Sequence, residues 1–363
     1  MNIPLLPRTT MKRLLITMIQ LGMLISPLAM VSCSSGETPG EGSAVDKIAS
    51  IHVNQVALES HGPKQAVVAV SVGQSLASLA VMSMDGSEVM KADFEVTEKF
   101  DEWGEGQHHY KADFTGLSQD GMYKLEARLN DGSRVDSAPF RVAGDALFDL
   151  TTADVYAYFF ANRNTSERDR AIPIIDTGET VDVFGGWNDA GGETGKYLSH
   201  LTYSNFFTPQ QASMVAWSLF ASFEQAEERL HKLGLREQAI EEAFWGADYL
   251  HRVLSEEGYF YMTVFDRWGQ DEDRWITGYK GLDGVYTPNY QAAFREGAGM
   301  AIAALASAAR LAQATGGSGE FSGVQYLADA ERAFAHLLEN NTAYCDDGRE
   351  NIIDDYTALI AAV

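Results

Sequence analysis

Gly185-Gly186-Trp187-Asn188-Asp189-Ala190-Gly191-Gly192-Glu193-Thr194-Gly195-Lys196-Tyr197 gathers glycines, carboxylates and aromatics in one short segment. The glycines free the backbone to place side chains where no regular element could. Asp189 and Glu193 stand four positions apart, between Trp187 and Tyr197. Hydrolysis of a glycoside needs one carboxylate to activate water and a second carboxyl group to protonate the leaving oxygen. Sugar rings present apolar faces, so aromatic side chains make natural walls for them. Asp and Glu in glycine-rich segments also serve as turn and capping residues. The cluster by itself leaves a catalytic and a structural reading open.

On either side of this segment the apolar period is helical. Leu147 to Asn162 is the first predicted helix. Thr208-Pro209-Gln210-Gln211 is a helix start, with a capping Thr, a Pro at the first position and a Gln that completes a capping box. Ala212, Val215, Ala216, Leu219, Phe223, Ala226 and Leu230 follow on one stripe. A third helix carries Ile240, Ala243, Phe244, Ala247, Leu250 and Leu254. A fourth, rich in Ala, runs from Asn289 to Thr315 and stops at Gly316-Gly317. A fifth covers Ser322 to Leu338, and a sixth starts near Glu350. Residues 163 to 207 and 256 to 288 form long, aromatic-rich loops between helices. Loops of that length in compact domains usually carry function. Tyr356 to Val363 is an apolar helical stretch with no cap or polar tail, so the chain is expected to be an incomplete piece of a larger helical domain.

Residues 47 to about 143 change to period two. Gln65 to Val70 is a buried apolar run, and Leu79 to Met82 and Val89 to Phe94 flank the turn Asp85-Gly86. Tyr110, Ala112 and Phe114 alternate with polar residues, as do Tyr123, Leu125, Ala127 and Leu129. Asn130-Asp131-Gly132 turns the chain, and Val135 to Val142 returns. Short strands patterned this way over roughly 100 residues suggest an immunoglobulin-like sandwich.

The N-terminus is an address. Arg8, Lys12 and Arg13 precede a mostly apolar stretch, Leu14 to Val31, which is short and interrupted for a membrane span. It ends at Met30-Val31-Ser32-Cys33. Small residues before a cysteine after an apolar run resemble a bacterial lipobox, which implies lipid attachment at Cys33 and an exported chain held at the cell envelope. A secreted, unanchored product is the alternative. Residues 34 to 46 are rich in Ser, Gly, Glu and Pro and read as a flexible linker. The chain has 363 residues, with 27 Lys and Arg against 51 Asp and Glu, a formal net charge of −24. That length points to two domains, and that charge argues against nucleic acid as a partner. The cysteines, Cys33 and Cys345, form no disulfide framework, and Cys345 is expected to be a buried small apolar residue.

The segment around Trp187 resembles the signature of glycoside hydrolase family 9, Gly-Gly-Trp-(aromatic)-Asp-Ala-Gly-Asp-x-x-Lys-(Tyr or Phe). Gly185, Gly186, Trp187, Asp189, Ala190, Gly191, Lys196 and Tyr197 match. In that family the second Asp is the base of an inverting mechanism and the first helps hold the water. Read without a gap, Gly192 falls at the base; counted back three from Lys196, Glu193 does. The resemblance therefore implies Glu193 as base and Asp189 as its assistant, in a loop one residue longer than the pattern. It continues through Thr263 to Gly269 and Tyr290 to Arg295, and Ile51 to Val56 resembles the immunoglobulin-like domain that often precedes this catalytic domain.

The implied architecture is a signal peptide (1–33), a linker (34–46), an immunoglobulin-like β-sandwich (47–143) and a partial all-α (α/α)6 toroid (145–363). The implied function is hydrolysis of a β-linked glucan. Substrate contacts are expected from Trp187, Lys196, Tyr197, Trp268 and Tyr286, with Trp275 and Tyr279 as further candidates to line sugar subsites. No cofactor or metal is expected, since His108-His109 lacks partners at ligand spacing. The family's proton donor is a late Glu after a His/Arg motif, and neither has a counterpart among these residues. Glu350, Asp354 and Asp355 are expected to serve the start of the last helix. The competing reading is a glycan-binding surface lipoprotein without catalysis.

Overall fold

The computed structural model describes residues 49–97, 106–189, 193–198, 211–281 and 283–363. The expected signal peptide with Cys33, the linker and the Thr208-Pro209 helix start lie outside the described residues.

The N-terminal strands are β1 (Ala49–Val53), β2 (Leu58–Glu59), β3 (Gln65–Ser71), β4 (Leu76–Ser83), β5 (Glu88–Lys91), β6 (Asp93–Val96), β7 (Gln107–Asp113), β8 (Gly121–Leu129), β9 (Arg134–Asp136) and β10 (Phe140–Ala143). They form two sheets, one ordered β1-β3-β7-β6 and one ordered β2-β10-β8-β4-β5 with β9 beside β8. The alternation predicted from sequence sets the faces. Val68 and Val70 of β3, Ala112 of β7, and Leu125 and Ala127 of β8 are all buried. Phe114, just past the end of β7, and Phe140 of β10 meet at 5.4 Å in the core.

Two strands expected to be continuous are divided. Residues 89–94 split at Ala92: β5 pairs with β4 and β6 pairs with β7, so the chain changes sheet there. Ala92 stays buried, and its N–H still donates to the Leu79 carbonyl at 2.9 Å. The return strand breaks between β9 and β10, where Pro139 has no N–H to give a ladder.

The helices among the described residues are α1 (Ala146–Ala161), α2 (Ala212–Lys232), α3 (Arg236–Arg252), α4 (Ala298–Thr315), α5 (Gly323–Tyr344) and α6 (Ile352–Ala362). They share one apolar core with the loops between them. The Ala-rich α4 lies at its centre, against α2, α5 and α6. Small residues permit the close approach: a Cβ added to Gly299 of α4 would stand 2.7 Å from the Thr357 Cβ of α6. The result is a sandwich followed by the helices of a partial (α/α)6 toroid.

The fourth helix begins at Ala298 rather than Asn289. Gly297, with φ of 103°, is left-handed and ends the preceding 3₁₀ turn, Phe294–Glu296. A side chain there would strike Leu198, 2.6 Å away at its Cβ. The sixth helix starts at Ile352 with Asp354 and Asp355 in its first turn, whereas Glu350 accepts from Asn341 at 2.8 Å. Asn351 caps Ile353 N–H at 2.8 Å, and Asp354 accepts the Asn351 N–H at 3.0 Å. Asp346 and Asp347 both receive Nη2 of Arg295, at 2.7 and 2.9 Å. Cys345 is buried, and burial pushes its thiol up to about 12.

Ser50–Val363 forms one compact unit. Where sandwich meets helices, the Glu59 carboxylate accepts the Leu147 N–H of α1 at 2.8 Å. Buried Lys64 donates to the carbonyls of Glu59, Ser60 and Gly62 at 2.8, 3.0 and 2.7 Å, so its charge has a full set of acceptors.

Candidate active site

The two long loops carry short strands: β11 (Ile172–Pro173), β12 (Thr180–Val181), β13 (Lys196–Tyr197), β14 (Thr263–Phe265), β15 (Trp275–Ile276), β16 (Gly278–Lys280) and β17 (Val285–Thr287). β13 pairs antiparallel with β14, Lys196 opposite Val264, and β14 pairs with β15. Loops far apart in sequence thus become one small sheet at the end of the segment that opens with Gly185.

Buried charges pin that segment from below. Nζ of Lys196 lies 2.6 Å from the Asp169 carboxylate and donates to the carbonyls of Val183 and, at 3.0 Å, Gly185. Arg274 holds the other side of Asp169 and donates to the Thr194 carbonyl at 3.1 Å. The carbonyls at the entry and exit of the loop are therefore clamped by two cations that share one buried carboxylate. Burial pulls the Lys196 ammonium down to about 8, partly offset by Asp169.

Gly186 has φ of 66°, and a Cβ there would meet the Tyr249 ring at 2.9 Å, so only glycine fits. Trp187 is buried, with its indole N–H donating to Glu242 at 2.8 Å. Arg163 closes on the same carboxylate through Nε and Nη2, at 3.0 and 2.8 Å.

Above these anchors sit the two carboxylates. The Asp189 N–H donates to the Gly195 carbonyl at 3.1 Å and closes the loop, while Gln211 Nε2 reaches the Asp189 carboxylate at 3.2 Å. Ala190, Gly191 and Gly192, between the two acids, lie outside the described residues. Glu193 Oε2 accepts a hydrogen bond from the Tyr197 hydroxyl at 3.0 Å. Burial, and then the negative charge of Glu193, raise the Tyr197 phenol, so it remains a donor. A cleft at Asp189 is lined by Tyr158, Trp187, Asn188, Asp189, Tyr197 and Gln211.

The structure corrects part of the expected substrate set. Lys196 is buried and its three N–H donors are spent inside the protein, which leaves none for a sugar. Tyr197 is 1% exposed, so it reaches the site through its hydroxyl rather than as a platform. Tyr279 is wholly buried, stacked on Phe265 at 4.5 Å, and is core. Trp187 shows only an edge, at 8% exposure. Trp268 and Tyr286 are half-buried against this aromatic core and keep surface. Trp275 is half-buried in β15.

Sequence reading missed Asp169, Glu242 and Tyr158. Glu242 carried a usable signal: it falls on the stripe of Ala239, Ala243 and Gly246, where a charge implies a buried partner. Tyr158 is 58% exposed beside the cleft, on a helix whose outer face is unusually apolar. Asp169 lies in an alternation of charges and carried no signal.

Residues 151–358 match the family description "Glycosyl hydrolase family 9", and residues 46–131 match "Cellulase N-terminal ig-like domain". A cellodextrinase of Butyrivibrio fibrisolvens is 28% identical over 173 residues, covering 42% of this chain and 29% of that protein. Among solved structures, a metagenome-derived glycoside hydrolase family 9 endoglucanase superposes with a TM-score of 0.58 at 22% identity, over 86% of this chain and 60% of that one. A family 9 protein of Bacteroides ovatus gives 0.57 at 15% identity, over 86% and 64%. At these identities the superpositions establish the fold alone. The chain spans about 60% of the length of the first of these structures. The family match covers more than half of the residues and includes the loop of Asp189 and Glu193, so this chain belongs to glycosyl hydrolase family 9.

Proposed function

We propose that this chain is the Glu193-bearing part of an exported glycosidase that hydrolyses a β-linked glucan, such as cellulose, with inversion. The observation that carries the proposal is the Glu193 carboxylate held by Tyr197 in the loop beside the Asp189 cleft, in a chain of this family. Relatives named cellodextrinase and endoglucanase support a β-glucan substrate. Glu193 takes a proton from water as that water attacks the anomeric carbon, and Asp189 helps orient the water. Tyr158, Trp268 and Tyr286 offer aromatic surface to sugar rings. The leaving oxygen takes its proton from a carboxyl group on the opposite face, about 6.5–9.5 Å from the base in an inverting site. No residue described here is assigned that role.

The domain boundaries at 47–143 and 145–363 and the lipid at Cys33 belong to the same proposal. Several acyl chains on one cysteine anchor stably, at about 0.8 kcal/mol per buried CH₂. The acyl chains place the protein at the envelope, on the outer membrane, facing polysaccharide.

The second reading, a glycan-binding lipoprotein without catalysis, draws on the Glu in place of Asp and on the added loop residue. Incubation with soluble β-glucan separates the two. New reducing ends support the hydrolase, and binding without them supports the binder.

A further inference from the structure

The turn after β14 has three consecutive residues in left-handed backbone: Arg267 at φ 50°, Trp268 at 56° and Gly269 at 77°. Two of these carry side chains, for which that region is unfavourable, so the surrounding structure must enforce it. Asp266 does so. Its buried Oδ1 accepts the Gly269 N–H at 3.1 Å, and its backbone carbonyl accepts the Asp271 N–H at 3.0 Å.

The second oxygen of the same carboxylate faces the other loop. Asp266 Oδ2 accepts both the N–H of Thr194, at 2.7 Å, and its hydroxyl, at 3.1 Å. Thr194 directly follows Glu193. The turn also touches Glu193: a Cβ added to Gly269 would lie 3.6 Å from the Glu193 Cβ. One buried carboxylate thus ties a strained turn to the backbone that carries Glu193, and the glycine of that turn supplies the space beside it. Glu is one methylene longer than Asp, so its carboxylate needs firmer placement to meet a water at a set position.

We propose that Asp266 is a positioning residue that locks the Arg267–Gly269 turn onto Thr194 and so fixes where the Glu193 carboxylate stands. This rests on the reading of Glu193 as base. It assigns no contact between Asp266 and substrate.

Asp266→Asn tests it. An amide can accept from Thr194 or from Gly269, but its NH₂ opposes the other donor. Amide hydrogen exchange of the full chain should speed at Thr194 and Gly269 by tenfold or more, while α3 and α4 stay protected. Where the protein turns over soluble β-glucan, kcat should fall at least tenfold with KM within about threefold. Thr194→Val, which keeps the carboxylate and removes only the hydroxyl bond, should give a smaller change in the same direction, and it serves if Asp266→Asn fails to fold. Unchanged exchange at Thr194 and Gly269 in the folded variants, or a loss confined to KM, overturns the proposal. Glu193→Gln is run in parallel. Activity retained there sinks the base assignment, while the exchange result for Asp266→Asn still reads the lock by itself.

Discussion

The Tyr197 hydroxyl donates to Glu193 Oε2 at 3.0 Å, from a ring that is itself almost wholly buried. A rigid phenol therefore sets one oxygen of a carboxylate that sits in a glycine-rich loop. Two variants separate its parts. Glu193→Gln should lower hydrolysis by about 10²–10⁴-fold with the fold intact, since general-base catalysis contributes on that scale. Tyr197→Phe keeps the ring in the core and removes only the bond, so kcat should fall less, by about tenfold. Reducing-end assays alongside circular dichroism check both.

Asp169 sits between Lys196 and Arg274 with no exposure of its own. Removing one member of a buried ion pair leaves an unpaired charge, which costs about 3–5 kcal/mol. Asp169→Asn, which strands both cations, should destabilise on that scale in denaturant titration, and Lys196→Met, which leaves Asp169 paired with Arg274, should destabilise by less. The double variant should cost clearly less than the two together, because Lys196, one of the two cations that Asp169→Asn strands, is then gone and Arg274 alone has lost its carboxylate. Additive losses would mean that the pair is not coupled.

Glu296 is buried at the end of the 3₁₀ turn before α4, where burial raises its carboxyl to about 8 from 4.5. Between those values the folded chain binds more protons than the unfolded chain. This group's contribution to stability therefore falls as pH rises through that window, by up to about 1.4 kcal/mol per pH unit. Glu296→Gln removes the slope and can still accept the Ala293 N–H. The variant should match the wild type near pH 4.5 and unfold at higher temperature than it near pH 8. Thermal scans across that range give the answer, and parallel curves for the two proteins would count against it.

If Cys33 carries lipid, the wild-type chain made in a bacterium should partition into detergent. Cys33→Ser should move it to the aqueous phase. Detergent partitioning that survives the substitution excludes this anchor.

Local pattern was enough for much of this protein. Period-two alternation around Leu125 and helical period around Leu219 are each set within a few residues, by which face must leave water. The segment from Gly185 to Tyr197 marked itself through residue types alone, because glycine freedom and paired acids are properties of the chain. It also carried the family. Boundaries were less legible. The sheet change at Ala92 and the late start of α4 at Ala298 depend on partners such as β7 and Leu198, which no local window contains.

The roles within the site were decided by tertiary structure. Lys196 and Tyr197 read alike as polar residues beside the loop of Asp189 and Glu193. One turned inward to Asp169 and the carbonyls of Val183 and Gly185, and the other offers only its hydroxyl to Glu193. Asp266, 73 positions from Glu193 (266 − 193), had no visible tie to it until β13 paired with β14. Composition and period tell which side chains must be buried. Which buried charge meets which partner depends on strand pairings between distant loops, and those exist only in the folded chain.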